Sequence, residues 1–315
     1  MTKVRAAVVG VGYLGRFHAQ KYNVIENSEL VGVCDASADR AEEVAKELGV
    51  TAFTDYKALV GKVDAVTVAA TTTAHYEIAK FFLENGIHVH VEKPMTSTVA
   101  EGEELCRLAE QNNLKLQVGH VERFNPALIA AQEKLERPMF IECHRLAPFK
   151  PRGADVSVIL DLMIHDLDVV QSLVRSPVAS VSAVGTPVIT QTIDIANARI
   201  EFESGAVCNL TSSRVSLKAQ RKFRVFQKNQ YLSIDFGSGE VNLLTKTGDW
   251  SGEMEELPID SDAWDLEKGD AILAETQSFV DAIAKDQPVI VSGQDGLNAL
   301  KLAEKITDLI YERLS

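Results

Sequence analysis

At 315 residues, with 46% apolar and 24% charged side chains, the chain has the composition of an ordinary globular protein and the length of two domains. A net charge of −13 argues against a general nucleic-acid binder, because neutralising phosphates needs a basic face. No apolar run reaches the roughly 18 residues of a membrane span. Cys34, Cys106, Cys143 and Cys208 are scattered without metal-ligand spacing, which predicts reduced thiols and a cytoplasmic protein.

Met1 to Lys3 leads directly into a strand, so no secretory leader is expected. Val4 to Val9 reads as that buried strand, followed by Gly10-Val11-Gly12-Tyr13-Leu14-Gly15 and a helix to Val24. Glycines at this spacing between strand and helix are the pattern of a dinucleotide-binding turn. The first glycine makes the turn, the second admits a pyrophosphate to the backbone, and the third lets helix pack on strand. A second buried strand ends at Asp35, 20 residues beyond Gly15, where a carboxylate would accept hydrogen bonds from an adenosine ribose. Asp35 is also suited to capping the next helix, a role Ser37 could share. A carboxylate there repels a 2′-phosphate, which favours NAD; Arg40 close by keeps NADP as the alternative.

Strands and helices continue to alternate. Helices are predicted over 38–48, 56–60, 74–85 and 99–112, the last opened by a capping box at Thr98 and Glu101. Strands are predicted over 65–69, 88–91 and 115–118. Residues 1–120 are therefore expected to form an α/β Rossmann domain with a doubly wound parallel sheet, its ligand at the carboxyl ends of the strands. From 121 to 315 the rhythm changes. A helix over 126–135, a strand over 139–146 and a long helix over 158–174 precede about six strands joined by short turns. Helices near 274–284 and 295–314 close the chain. This predicts an α+β domain with a mostly antiparallel sheet, and self-association through that sheet is expected.

Two segments offer proton-transfer chemistry. Glu92-Lys93-Pro94 ends a parallel strand, and Pro94 holds Lys93 extended. On the helix over 158–174, Asp161, His165 and Asp168 fall at i, i+4 and i+7 on one face of an otherwise apolar segment. Such a stripe belongs in a cleft or a buried polar network. His165 reads as a general acid/base held by a carboxylate. The three residues as metal ligands, or His165 as a structural histidine, are the other readings.

With the glycine turn, Glu92-Lys93-Pro94 and Asp161-x-x-x-His165, the chain resembles the Gfo/Idh/MocA oxidoreductase family along essentially its whole length. The resemblance implies Lys93, Asp161 and His165 as the catalytic constellation of a dehydrogenase acting on a sugar secondary alcohol, with no metal. It implies Gly10, Gly12, Tyr13, Leu14, Gly15, Asp35, Thr71, His75, Glu92 and Lys93 as cofactor contacts. The chain departs from the family at Thr71, where a proline is frequent, and at Met163, where a small residue is common. A narrower likeness lies in Gly119-His120-Val121-Glu122-Arg123-Phe124-Asn125-Pro126 and Leu160 to Asp166. It points to the family branch that oxidises UDP-N-acetylglucosamine at C3 on the way to lipid A. This adds His120, Arg123, Arg145 and Arg152 as substrate residues beside Asp161 and His165. Arg145, Lys150 and Arg152 form one basic cluster, and Lys218, Arg221, Lys222 and Arg224 a second. Either suits a diphosphate, and either reads equally as ordinary surface charge. A free sugar or inositol as substrate, and a non-catalytic dinucleotide-binding regulator, are the alternatives.

Overall fold

The computed structural model describes residues 3–150, 156–250, 252, 257–266 and 269–314. Backbone packing divides them into two compact units, one of residues 1–124 with 270–300 and one of 125–269 with 301–315.

The first unit begins with β1 (Val4–Val9), α1 (Tyr13–Val24), β2 (Ser28–Cys34), α2 (Ala38–Leu48) and β3 (Thr51–Phe53). A short 3₁₀ helix (Tyr56–Leu59) precedes β4 (Ala65–Val68), α3 (Thr72–Glu84), β5 (His88–Glu92), α4 (Val99–Gln111) and β6 (Leu116–Gly119). The strands pair in parallel in the order β3-β2-β1-β4-β5-β6. β4 is buried along its whole length, as an apolar strand covered on both faces should be. Strand order reverses between β1 and β4, so the ligand crevice of such a sheet lies beyond Val9 and Val68.

In the second unit, α5 (Pro126–Gln132) and β7 (Phe140–Leu146) precede a π-helical turn (Ile159–Met163) that runs into α6 (Ile164–Val174). Seven strands follow: β8 (Val178–Thr186), β9 (Ile195–Phe202), β10 (Val207–Ser213), β11 (Gln220–Gln227), β12 (Gln230–Asp235), β13 (Glu240–Lys246) and β14 (Ile259–Asp265). They join β7 in the order β14-β13-β12-β11-β7-β10-β9-β8, antiparallel except for β7 against β10. Along β7 and β9 every second residue is buried, so the sheet presents one face to a core. The chain closes with α7 (Ala271–Ala284) and α8 (Gly293–Leu314).

Chain order alone placed everything after residue 120 in the second domain. Packing instead gives α7 and the start of α8 to the first unit. The reason is apolar burial: Phe279 and Val280, both 0% exposed, join Ala19, Tyr22, Val8 and Val33 in one core cluster. Truncating a side chain like Phe279 to alanine costs about 3–5 kcal/mol. Two strands escaped the sequence pattern. β3 has only three residues, and β14 carries an Asp-Ser-Asp stretch that masks its pairing with β13.

Candidate active site

The glycine turn behaves as its spacing implies. Gly10 has φ +86°, and a Cβ on it would lie 2.4 Å from the Ala70 backbone nitrogen. A Cβ on Gly15 would meet the Gly10 carbonyl oxygen at 1.8 Å, so helix and turn pack too closely for any side chain. Gly12 is different: nothing stands within 4 Å of where its Cβ would be. It faces a cleft of about 610 Å³ whose walls include Val9, Gly10, Asp35, Arg40, Ala70 and Thr71. Open space at the second glycine, over the N-terminus of α1, is the cradle that a pyrophosphate would fill.

Asp35 is 7% exposed at the end of β2. Its Oδ2 accepts the Val11 N–H at 3.0 Å and its Oδ1 the Ser37 N–H at 2.9 Å. The carboxylate therefore braces the glycine turn, while Ser37 caps α2 through the Arg40 N–H. A carboxylate has about four acceptor positions, so room remains for ribose hydroxyls. Arg40 Nη1 stands 3.4 Å from Asp35 Oδ1, close to the place a 2′-phosphate would take. Tyr13 is 65% exposed and stacks edge-on against Phe17. Leu14 is half-buried and Thr71 exposed at the N-cap of α3.

Two residues expected at the cofactor surface make contacts within the unit, His75 buried and Glu92 half-buried. His75 is 2% exposed, with Nδ1 2.9 Å from the Pro94 carbonyl oxygen and Nε2 3.1 Å from that of Ala70. Burial lowers its pKa against the favourable pull of those carbonyls. Its ring ties the loop after β4 to the Lys93-Pro94 turn, whose peptide bond is cis. The Glu92 carboxylate turns inward to His18, with Oε1 2.8 Å from Nε2. His120, just past β6, is 1% exposed. Burial pushes its pKa down to about 3, and the nearby Lys93 and Arg123 charges push the same way. Arg123 donates from Nη2 to the Ile290 carbonyl oxygen at 3.3 Å.

In the second unit, the expected helix begins with a wider turn. The Ile164 N–H reaches back five residues to Ile159 O, a π geometry often found at functional sites. Asp161 lies within that turn and His165 just after it, both half-buried, whereas Asp168 is 2% exposed and belongs to the interior. The turn is pinned at its start, where the Val158 N–H donates to Ile193 O at 2.9 Å and the Asp161 N–H to Ser157 O at 3.1 Å.

Arg145 does not offer its head to a ligand as expected. It is 5% exposed and donates from Nε and Nη2 to both oxygens of buried Asp166, at 3.0 and 2.7 Å. Arg152 lies outside the described residues. Of the second basic cluster, Arg221, Lys222 and Arg224 fall on β11 beside β7, with Arg221 opposite Arg145 and Lys222 opposite His144, and Lys218 lies just before the strand. Arg224 pairs with Glu142, so Lys218 and Arg221 are its more exposed members.

Sequence reasoning missed a group of buried polar residues. His18, His90 and Glu275 gather with Glu92 inside the first unit, and Asp194 with Arg214 inside the second. A glutamate inside the apolar run Ala271-Ile272-Leu273-Ala274-Glu275 is the one signal that could have flagged the first group.

Comparison with known proteins follows from this geometry. Residues 4–120 match the GFO_IDH_MocA family, described as "Oxidoreductase family, NAD-binding Rossmann fold". Residues 130–232 match the GFO/IDH/MocA C-terminal domain. UDP-N-acetylglucosamine 3-dehydrogenase of Acidithiobacillus ferrooxidans is 39% identical over 308 residues, 97% of each chain. A solved structure of that enzyme superposes with a TM-score of 0.93 at 38% identity, covering 100% of both chains. The scyllo-inositol 2-dehydrogenase (NAD(+)) of Bacillus subtilis is 30% identical over 68% of each chain.

Proposed function

Because the chain belongs to the Gfo/Idh/MocA oxidoreductase family, we propose that it oxidises UDP-N-acetylglucosamine at C3, with NAD as hydride acceptor. The observation that carries this reading is end-to-end similarity, at 39% identity, to an enzyme named for that reaction. The inositol dehydrogenases are more distant; the 30% match to one of them covers 68% of this chain.

The first unit suits the cofactor: Gly12 opens onto a cleft, and Asp35 keeps acceptor capacity at its rim. NAD supplies the hydride acceptor when bound. The chain's own residues do the rest. Lys93 donates a hydrogen bond to the reacting hydroxyl oxygen and stabilises its developing negative charge. His165 takes the hydroxyl proton. Asp161, four residues earlier, orients His165 or the sugar. Lys218 and Arg221 are the cations best exposed to hold a diphosphate, and Arg123 is a further substrate contact. The product, a 3-keto nucleotide sugar, suits an aminating enzyme that leads on to a diamino sugar for lipid A. We place the protein in the cytoplasm as a homo-oligomer joined through the second-unit sheet; a monomer in sedimentation would contradict the oligomer.

The test is reduction of NAD followed at 340 nm with UDP-N-acetylglucosamine, free N-acetylglucosamine and inositols as substrates, repeated with NADP. Turnover confined to the nucleotide sugar supports the reading. Equal or better turnover of a free polyol overturns it.

A further inference from the structure

The first unit buries a charge system that this chemistry does not use. His18 on α1, His90 and Glu92 on β5 and Glu275 on α7 meet in its interior. His18, His90 and Glu275 are 0% exposed. His90 Nε2 stands 3.8 Å from Glu275 Oε2, and neither oxygen of Glu275 has a hydrogen-bond partner.

His18, Glu92 and Glu275 each bring a potential ligand atom within 4.8 Å of the others. A metal ion is nonetheless a poor fit. His18 Nε2 and Glu92 Oε1 are already 2.8 Å apart, in a direct hydrogen bond. Ligands of a tetrahedral site with bonds of about 2.0–2.1 Å sit roughly 3.3 Å from one another. The cluster closes on a proton.

That proton belongs to Glu275, whose pKa burial and the neighbouring Glu92 charge both drive well above the ordinary range. His90 is neutral, pushed down to about 3 by burial and by His18. Glu92 is ionised: burial opposes this, but the hydrogen bond and field of His18, with His90 and Lys93, hold its pKa low. Buried Glu275 and half-buried Glu92 thus carry one negative charge between them, located on the residue next to Lys93. Glu92 Oε2 accepts the backbone N–H of Lys93 at 3.2 Å, and Gly119 makes room for it, since a Cβ there would lie 3.0 Å from that oxygen. On the other side His120 is also neutral and offers Lys93 no competing charge.

We propose that Glu92 is the positioning residue for Lys93: a half-buried carboxylate, clamped by His18, that braces the Lys93 backbone and sets a negative charge beside the lysine while it binds the substrate oxygen. The proposal rests on the reading of Lys93 as the group that binds that oxygen.

The experiment compares kcat/KM against pH, and Lys93 acetylation against pH by mass spectrometry, in the full-length protein and in Glu92→Gln, Glu92→Asp and His18→Gln. With Glu92→Gln, kcat/KM is expected to fall about tenfold or more near neutrality. The alkaline limb should move about one unit lower, and Lys93 should acetylate at correspondingly lower pH. The KM for NAD should stay within about twofold, because this carboxylate is engaged by His18 and the Lys93 backbone and is not among the residues lining the Gly12 cleft. Glu92→Asp should restore part of the limb. His18→Gln, which leaves the carboxylate in place, should move it in the same direction by less, and serves if Glu92→Gln does not fold. An unchanged limb and acetylation curve, or a loss confined to the KM for NAD, overturns the proposal. The acetylation readout needs no substrate, so it stands apart from the reading of Lys93. That reading fails separately, if Lys93→Ala keeps normal turnover.

Discussion

Arg145 on β7 holds Asp166, the residue after His165, through two hydrogen bonds of 3.0 and 2.7 Å, and both side chains are buried. The pair joins the sheet to the first turn of α6 and so fixes where His165 begins its course. Removing one partner strands a buried charge, so Arg145→Met is expected to cost about 3–5 kcal/mol in urea unfolding. Arg145→Met with Asp166→Leu should recover most of that loss. If the double variant is no more stable than the single one, the pair is not what anchors the helix.

Two glycines three residues or fewer apart should respond in opposite ways. Gly10→Ala meets the Ala70 backbone at 2.4 Å with φ at +86°, and is expected to lose about 3 kcal/mol or to fail to fold. Gly12→Ala has open space around it and should melt like the parent. Its methyl group would occupy the cofactor's cradle, so NAD binding, measured by fluorescence titration, should weaken about tenfold or more. Comparable melting temperatures for the two variants would refute the contrast.

Catalysis should depend on Lys93 and on His165. Lys93→Ala and His165→Ala are each expected to lower kcat by about 10²–10⁴-fold with melting temperature nearly unchanged. Near-normal turnover in either variant removes that residue from the mechanism.

Glu275 makes the fold sensitive to alkali. Its folded pKa is raised, so the stability it contributes is complete below the ordinary glutamate value near 4.5 and falls as pH rises from there toward the folded value. Glu275→Gln keeps the shape and removes the titration. Relative to the parent, its melting temperature should therefore climb as pH rises above about 4.5 toward the folded value. Parallel melting curves across that window would mean that Glu275 is not the protonated acid described above.

Asp194 acts in the other direction. Four donors reach it: the N–H groups of Val188, Ile189 and Thr190 at 2.8, 2.6 and 2.8 Å, and the Thr190 hydroxyl at 2.8 Å. Burial would raise its pKa, but these bonds bring it down to about 2. Its stabilisation is present above the ordinary aspartate value and is lost as pH falls toward 2. Asp194→Asn is expected to cost about 2–3 kcal/mol at pH 7 and progressively less on acidification, by urea titration.

The first ninety residues were legible because local chemistry dictates them. Gly10, Gly15 and the apolar strand β4 each obey a steric or burial rule that short sequence windows contain. Lys93, Asp161 and His165 could be singled out because charge at a strand end or within an apolar helix demands a reason. The rest depended on distant partners. Nothing local in the sequence marks Asp166 as the partner of Arg145. Nor does anything local show that His18, 74 residues earlier, holds Glu92. Asp194 carries no local mark, since its role is set by a loop that folds around it.

The first unit draws its sequence from two separated stretches, residues 1–124 and 270–300. A ribosome completes the six-stranded sheet some 150 residues before it makes Phe279 and Val280. At about 5–20 residues per second, that is a wait of roughly ten to thirty seconds. For that interval the face of α1 bearing Ala19 and Tyr22 lacks its cover, and the buried partner of His90 does not yet exist. The nascent sheet is thus expected to need chaperones until α7 is made, and a chain cut short before α7 should aggregate rather than bind nucleotide.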